Sequence, residues 1–253
     1  MPRRTTGDKP KVLSTLHASS ADNRGTDPKA SRWESTGGCQ QCDIRQRALF
    51  AALSEPVLEH LLPSICSAVI PMGDAVYEED EPASAVYTIG TGILKLVKRG
   101  PAGPRIVRLL GPGTAAGLEA LSSGSYRHTA VALRPTELCR IPAEVVQQLQ
   151  GHDGQLADEV LGQWEQQLES ADRWLAELGQ GTVAERLLRL MAILLEMEER
   201  ESPLVQLPPM ADVASILGIT RESVSRALAD LQREKALRRV APHTYELPPE
   251  TLH

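Results

Sequence analysis

The chain has few aromatic side chains and lacks the signals of several protein classes. Only 3% of its 253 residues are aromatic and one is phenylalanine, so aliphatic side chains are expected to fill the core. No apolar run approaches the roughly 20 residues that span a membrane. The basic N-terminus has no apolar segment behind it, so we expect no secretory signal. We therefore expect a cytoplasmic protein without a membrane partner.

Motifs that mark enzymes are missing as well. The sequence has no glycine-rich phosphate loop, no nucleophile elbow and no histidine pair at metal-ligand spacing, so we do not expect an enzyme. A net charge of −6 argues against a protein that coats nucleic acid non-specifically, but it does not exclude a local basic surface. Four cysteines in a cytoplasmic protein favour free thiols or metal ligands over structural disulfides.

Residues 211–232, ADVASILGITRESVSRALADLQ, carry the most specific pattern. It predicts two short helices joined at Gly218, since a residue without a Cβ atom permits a sharp turn. Thr220 then caps the second helix, whose apolar residues recur at helical spacing and predict a buried face. A helix-turn-helix places the exposed start of its second helix in the major groove of DNA. The residues expected to contact DNA are Thr220, Arg221, Glu222, Ser225 and Arg226.

The chemistry of these side chains suits base recognition. Arginine donates two parallel hydrogen bonds to guanine, and glutamate accepts one from the cytosine amino group. From Gly218 to Arg239, six basic residues stand against three acidic ones. This local excess in an acidic chain is typical of a surface that neutralises phosphates.

Composition divides the chain into four segments. Residues 1–35 are polar and are predicted to form a disordered tail. Residues 36–154 combine a C-x-x-C segment with short apolar stretches punctuated by glycine and proline, which predicts an antiparallel β domain. Residues 155–179 form a long helix. Residues 180–253 place a β-hairpin after the helix-turn-helix, which makes a winged helix-turn-helix.

Apolar residues of the long helix recur at alternating spacings of three and four, as in a coiled coil. A helix that packs on its own domain also permits such a stripe. We favour a homodimer, because helix-turn-helix proteins usually bind two half-sites about one DNA turn apart. This stripe, the dimer seam, comprises Leu161, Trp164, Leu168, Ala171, Leu175 and Leu178.

Ordered in this way, residues 39–247 resemble the CRP/FNR family of bacterial transcription regulators. The most specific segments are TVAERLLRL at 182–190 and DVASILGITRESVSRAL at 212–228. The resemblance implies an α+β fold, with a β-roll sensor domain of the cyclic-nucleotide-binding type, a dimerisation helix and a winged helix-turn-helix. It also implies RNA polymerase as a partner.

The same resemblance implies a palindromic TTGA/TCAA-like DNA site. Glu222 and Arg226 would contact the inner base pairs of each half-site. Ser225 is typical of the FNR branch of the family, whereas Arg221 is typical of the CRP branch. Carrying both leaves the outer base of the half-site open.

Two kinds of sensor occur in this family. Members that bind cyclic nucleotides have a ribose-binding glutamate where Leu118 stands and an Arg-Ser pair where His128 and Thr129 stand. We therefore do not expect cAMP binding. FNR-type oxygen sensors instead hold a [4Fe–4S] cluster through an N-terminal cysteine group and one distant cysteine.

Three cysteines match that second pattern: Cys39, Cys42 and Cys139. The third cysteine of the N-terminal group is missing, so Cys66, Asp43 or an external thiol would have to complete the coordination. For the C-x-x-C, a cluster, a dithiol redox switch and a structural pair all stay open.

We expect control by oxygen or redox state through these cysteines. The alternative is a β-roll that senses haem, nitric oxide or another small molecule, with His128 or His152 as an axial haem ligand. A regulator that acts without an effector is a further alternative.

Overall fold

Nine short strands form two antiparallel sheets in the N-terminal part of the described molecule. The computed structural model describes residues 32–35, 62–122, 124–150, 154–198 and 202–247. The strands are β1 Glu34–Ser35, β2 Cys66–Ile70, β3 Ala75–Tyr77, β4 Ala85–Thr91, β5 Leu94–Gly100, β6 Gly103–Leu110, β7 Ala115–Ala116, β8 Thr129–Ala132 and β9 Thr136–Pro142. One sheet has the order β1-β2-β9-β4-β7 and the other the order β3-β8-β5-β6. Most of the predicted tail and the whole C-x-x-C segment lie outside the described residues.

Buried and exposed side chains alternate along the strands, and the buried ones form the core between the two sheets. In β2, Ala68 and Ile70 are buried, whereas Val69 between them is 66% exposed. Successive side chains of a strand point to opposite faces, so one apolar face suffices to hold the strand in place. Ile70, Leu94 and Leu138 from three strands meet in this core.

Aromatic residues are concentrated in the sensor core, which differs from the expectation of a wholly aliphatic one. Three tryptophans, four tyrosines and one phenylalanine make eight aromatic residues, and four of them pack together here. Tyr77 and Tyr126 stack with ring centroids 3.9 Å apart, and Tyr87 and Trp33 extend the cluster. Gly117, with φ of 73°, passes so close that a Cβ atom would lie 2.9 Å from the ring of Tyr126. Half of the aromatic side chains therefore help to stabilise the β-roll.

Two helices follow the sheets: α1 Ala143–Gln150 and α2 Gly154–Gly179. Two glutamines, one helical turn apart, attach α2 to β7. Gln163 Oε1 accepts from the Ala115 N–H at 3.1 Å, and Gln167 Nε2 donates to the Ala115 carbonyl at 2.7 Å. Both glutamines are buried, and these bonds satisfy polar groups that burial would otherwise leave unpaired.

The C-terminal domain contains three helices and a three-stranded sheet. The helices are α3 Val183–Glu198, α4 Met210–Leu217 and α5 Arg221–Arg233, and the strands are β10 Leu204–Gln206, β11 Arg238–Ala241 and β12 Thr244–Glu246 in the order β10-β12-β11. A capping box begins α3: the Thr182 N–H donates to Glu185 Oε2 at 2.8 Å, and the Glu185 N–H donates to Thr182 Oγ1 at 3.3 Å.

One hydrophobic core joins this domain to the second sheet of the β-roll. Ile93, Ile106 and Leu109 of the sensor belong to the same buried cluster as Leu190 of α3 and Val213 of α4. The two domains are therefore packed together. The domain boundaries proposed from composition stay a prediction.

The architecture confirms the predicted α+β class, with a β-roll, a long helix and a C-terminal helix-turn-helix. Within the residues that the structure describes, no helix combines the length and the apolar character needed to span a membrane.

Candidate nucleic-acid interface

A sharp turn joins α4 and α5. Gly218 follows the last residue of α4 with φ of 63° and ψ of 39°, and its N–H donates to the Ser215 carbonyl. This left-handed conformation favours glycine. The guanidinium of Arg105 lies against this turn, since a Cβ atom at Gly218 would lie 2.9 Å from Nη2 of Arg105. The turn therefore sets the angle at which α5 leaves α4.

Thr220 caps α5, as the sequence predicts. Its backbone is extended, with φ of −82° and ψ of 156°, and its Oγ1 accepts from the Ser223 N–H at 3.2 Å. The bond satisfies one of the N–H groups that the first turn of a helix leaves without a backbone partner. The start of α5 is thereby held in a defined conformation at the surface.

The two faces of α5 differ in chemistry. Val224, Ala227, Leu228 and Leu231 are buried against the rest of the C-terminal domain. The five residues expected to contact DNA, namely Thr220, Arg221, Glu222, Ser225 and Arg226, are all exposed. The structure therefore brings them together on one accessible surface, the recognition surface, while contact with DNA stays a prediction.

The charges of the recognition surface are available to a ligand. Among the described residues Arg221 and Arg226 form no ion pair, whereas Arg233 at the other end of α5 binds Asp230 at 2.9 Å. Hydrogen bonds from its own backbone N–H and from the Thr220 hydroxyl lower the pKa of Glu222. Glu222 is therefore an acceptor at neutral pH, as recognition of cytosine requires.

The wing adds further basic residues beside α5. Arg238 and Arg239 of β11 are exposed, and Arg238 pairs with Glu246 across the hairpin. His243 forms the hairpin turn with φ of 58°. The hairpin is anchored by Tyr245, which is 4% exposed.

The dimer seam is largely free in the single chain. Leu161, Leu168 and Leu175 are 57%, 64% and 75% exposed, Trp164 is 37% exposed, and Ala171 is partly buried. Leu178 corrects the prediction, because it is only 3% exposed and packs in the core of the C-terminal domain. The chain reverses after Gly179 and α3 folds back over the end of α2, so the free stripe ends at Leu175.

The strand register separates the two described cysteines. Cys66 lies opposite Arg140, and Cys139 lies opposite Ser67. Residues directly opposite each other share a face of the sheet and neighbours along a strand do not, so Cys66 and Cys139 point to opposite faces. This corrects the suggestion of Cys66 as a ligand beside Cys139. Cys39, Cys42 and Asp43 lie outside the described residues.

A cluster at Cys139 would thus depend on the C-x-x-C segment. Among the described residues, no group of three His, Cys, Asp or Glu side chains could hold a metal. Cys139 itself is half-buried and packs against the core of the β-roll.

Sequence reasoning missed a partly buried contact between a carboxylate and a histidine in the β-roll. Leu118, at the position of the ribose-binding glutamate, is buried, and the next residue, Glu119, lies 3.3 Å from Nδ1 of His128. Burial raises the pKa of Glu119, but hydrogen bonds, chiefly with His128, outweigh this and leave the pKa lowered. The one described histidine that was proposed as a haem ligand is therefore engaged by a carboxylate, and His152 lies outside the described residues.

Sequence reasoning also missed the polar contacts between the sensor and the C-terminal domain. Lys95 Nζ lies 2.7 Å from Asp212 Oδ1, and Arg134 Nη2 lies 2.6 Å from Glu198 Oε1. These partners are far apart in the chain, and no local pattern marks them.

Comparison with protein families divides the chain at the long helix. Residues 68–153 match the cyclic nucleotide-binding domain, and residues 188–248 match the Crp-like helix-turn-helix domain. The first match covers most of the β-roll and all of α1, and the second covers most of the domain that carries the recognition surface.

Curated relatives and solved structures agree with this division. The chain is 25% identical to the fumarate and nitrate reduction regulatory protein of Vibrio cholerae, over 83% of this chain and 88% of the relative. It is 29% identical to the transcriptional activator protein FnrL of Cereibacter sphaeroides, over 78% and 82%. The structure of FixK2 from Bradyrhizobium japonicum is similar with a TM-score of 0.64 and 28% identity, over 75% of this chain and 96% of that chain.

Proposed function

Since the chain belongs to the CRP/FNR family of DNA-binding transcription regulators, and is not an enzyme, we propose that it binds a palindromic TTGA/TCAA-like site as a homodimer. We further propose that oxygen or redox state controls this binding through Cys39, Cys42 and Cys139. Membership of the family supports RNA polymerase as a partner at the promoter.

The recognition surface carries the proposal for DNA. Arg221 and Arg226 have no ion-pair partner within the part of the chain that the structure describes, and Glu222 is an ionised acceptor. Arginine pairs with guanine and glutamate with the cytosine amino group, which fits the inner base pairs of a TGA half-site and its complement. Phosphates, by contrast, would be bound by Thr220 and by the basic residues of the wing.

The dimer seam supports a second copy of the chain as a partner. Leu161, Leu168 and Leu175 lie on one stripe of α2 and are more than half exposed. Apolar stripes at alternating spacings of three and four pair with their like in coiled coils. A two-fold dimer would present two recognition surfaces to the two halves of a palindrome.

Electrophoretic retardation tests the DNA proposal. The wild-type chain should retard a duplex with the palindrome TTGA(N)6TCAA, and should bind a duplex of the same composition with scrambled half-sites at least about a thousandfold more weakly. Equal affinity for the two duplexes would contradict sequence-specific binding.

Strand pairing supports the cysteine proposal. Glu34, Ser67 and Cys139 lie in one row across β1, β2 and β9, about 10 Å from end to end. Cys39 follows Ser35 by four residues, which span at most about 14 Å. Chain connectivity alone therefore leaves Cys39 within reach of Cys139.

The donor set fits a thiolate-bound cluster with one unusual ligand. Cys39, Cys42 and Cys139 would hold three irons, and Asp43 or an external thiol the fourth, since Cys66 lies on the other face of the sheet. Such a cluster supplies sensitivity to oxygen. Because Cys39 and Cys42 would bind the same cluster as Cys139, the cysteines would hold the segment after β1 against the β-roll.

Purification without oxygen tests this second proposal. Wild-type protein should be coloured and contain iron and sulfide, and Cys139→Ser should lose both. Cys66→Ser is the matched control and should retain them, because Cys66 faces away. A colourless, iron-free wild-type protein whose DNA affinity is the same after reduction would contradict redox control, whereas a colourless protein whose affinity changes would support a dithiol switch instead.

A further inference from the structure

A hairpin of the sensor, β5–β6, lies directly on α4, the first helix of the helix-turn-helix. Lys95 Nζ on β5 lies 2.7 Å from Asp212 Oδ1 at the start of α4, with both side chains less than 20% exposed. The Ile106 N–H on β6 donates to Ser215 Oγ, one turn further along α4, at 3.0 Å. Two bonds therefore fix the hairpin against α4.

Arg105 precedes Ile106 in β6 and reaches past the end of α4. Its guanidinium contacts the turn, because a Cβ atom at Gly218 would lie only 2.9 Å from Nη2 of Arg105. Gly218 is three residues before Arg221, the first residue of α5. Arg105 is exposed, so the sensor places a cation at the surface beside the recognition surface.

The guanidinium of Arg105 is not used to neutralise a carboxylate. The two neighbouring basic residues of the hairpin, Lys98 and Arg99, both bind Glu79, at 2.6 Å and 3.5 Å, and the Lys98 bond is the main cause of the lowered pKa of Glu79. Within residues 62–122, 124–150, 154–198 and 202–247, Arg105 has no such partner.

The end of α4 does not require Arg105 either. The Leu217 carbonyl already accepts a hydrogen bond from Arg186 of α3. The Gly218 N–H donates back to Ser215, and the Ile219 N–H donates to the Ala214 carbonyl. The groups that a helix end leaves unpaired are therefore largely satisfied without it.

We propose that Arg105 binds a phosphate of the DNA backbone beside the bases that α5 contacts, so that the sensor domain contributes directly to DNA affinity. This inference rests on the proposed function. Phosphate contacts position a protein on the duplex without reading its sequence, and arginine binds phosphate oxygens in a bidentate manner. The contact exists only while the hairpin is docked on α4, so it ties DNA affinity to the arrangement of the sensor.

The dependence of DNA affinity on salt tests the proposal. Affinities of the wild-type chain and of Arg105→Gln are measured between about 50 and 200 mM salt, on the palindrome and on the scrambled duplex. Loss of one phosphate contact reduces the slope of log K against log salt by about 0.9, or about 1.8 for the two subunits of a dimer. Binding to both duplexes should weaken by a similar factor, and Arg105→Lys should restore most of the slope.

Arg99→Gln is the matched control, since it removes the same charge from the same hairpin at a residue bound to Glu79. The proposal would be overturned if Arg105→Gln had the same salt slope as the wild-type chain. It would also be overturned if Arg99→Gln reduced the slope as much as Arg105→Gln does. Weaker binding of Arg105→Gln with an unchanged slope and a lower unfolding temperature would also overturn it, in favour of a packing role. If the proposed function itself is wrong, the result is different: the wild-type chain would then bind the palindrome no better than the scrambled duplex.

Discussion

The helices α2 and α5 both bury one face in their own subunit and leave another exposed, but the exposed faces have opposite chemistry. On α2 the exposed stripe is apolar, with Leu161, Leu168 and Leu175 more than half accessible. On α5 it is polar and charged, and Arg221 and Arg226 near its start pair with no carboxylate among the described residues.

The difference indicates which kind of molecule each helix binds. An exposed apolar stripe gains free energy by leaving water and so fits another protein surface with the same stripe. An exposed set of unpaired donors gains little from an apolar partner, but it matches the acceptors of base edges and phosphates. A second copy of the chain and a DNA duplex are the partners that we propose for α2 and α5.

Replacing an apolar residue of the α2 stripe by a charged one should have the largest effect, on the stability of the dimer. Leu168→Glu removes two buried leucines per dimer, at about 1.5–3 kcal/mol each, and places two carboxylates in the interface. We expect the dissociation constant of the dimer to rise at least about a hundredfold, as measured by sedimentation equilibrium. Glu169→Gln, at the neighbouring exposed residue, should leave the dimer intact. A Leu168→Glu protein that stays dimeric would show that α2 is not the interface.

Truncation within the recognition surface should have the next largest effect. Arg226→Ala should weaken binding to the palindrome by about 1–3 kcal/mol and relax the base preference at the inner pairs. Fluorescence anisotropy on a series of single-base variants measures both. Arg233→Ala is the control on the same helix, because Arg233 is paired with Asp230. Unchanged base preference in Arg226→Ala would contradict its assigned role.

Removal of the cap at the start of α5 should have a smaller effect, on stability. Thr220→Ala deletes the acceptor for the Ser223 N–H and should lower the free energy of unfolding by about 1 kcal/mol. Urea denaturation measures the change. Thr220→Ser keeps the acceptor, so its free energy of unfolding should be close to that of the wild type. If the serine variant were as unstable as the alanine variant, the loss would come from the missing methyl group and not from the cap.

The capping box of α3 should give the smallest effect, which is present at neutral pH and disappears in acid. Hydrogen bonds from the backbone and side chain of Thr182 lower the pKa of Glu185 from the ordinary value of 4.5. Its contribution to stability is thus present above pH 4.5 and is lost as pH falls through the lowered folded-state pKa.

Urea midpoints between about pH 5 and pH 3 check this expectation. The difference between the wild-type chain and Glu185→Gln should shrink as the pH falls. Glu234→Gln, at an exposed carboxylate outside a capping box, should show no comparable trend. A difference between wild type and Glu185→Gln that stays constant with pH would contradict the role of the Glu185 charge.

Local signals made the turn and the recognition surface predictable. The conformation of Gly218 and the cap at Thr220 depend on groups within three or four residues, and the alternation of buried and exposed residues on α5 follows helical periodicity. The aromatic cluster of the β-roll was not predictable, because its contacts, such as Trp33 with Tyr87 and Tyr77 with Tyr126, join residues far apart in the chain.

Amino-acid order alone specified the helix-turn-helix, its cap and the apolar stripe of α2, since hydrogen bonds and periodicity within one helix act over a single turn. The packing of distant segments settled three other matters. It buried Leu178 beneath α3, it set Cys66 and Cys139 on opposite faces of one sheet, and it brought Arg105 to the turn before α5. The first depends on how α3 folds back on α2, the second on strand register and the third on the docking of one domain on another. None of these leaves a periodic trace within a single helix or strand.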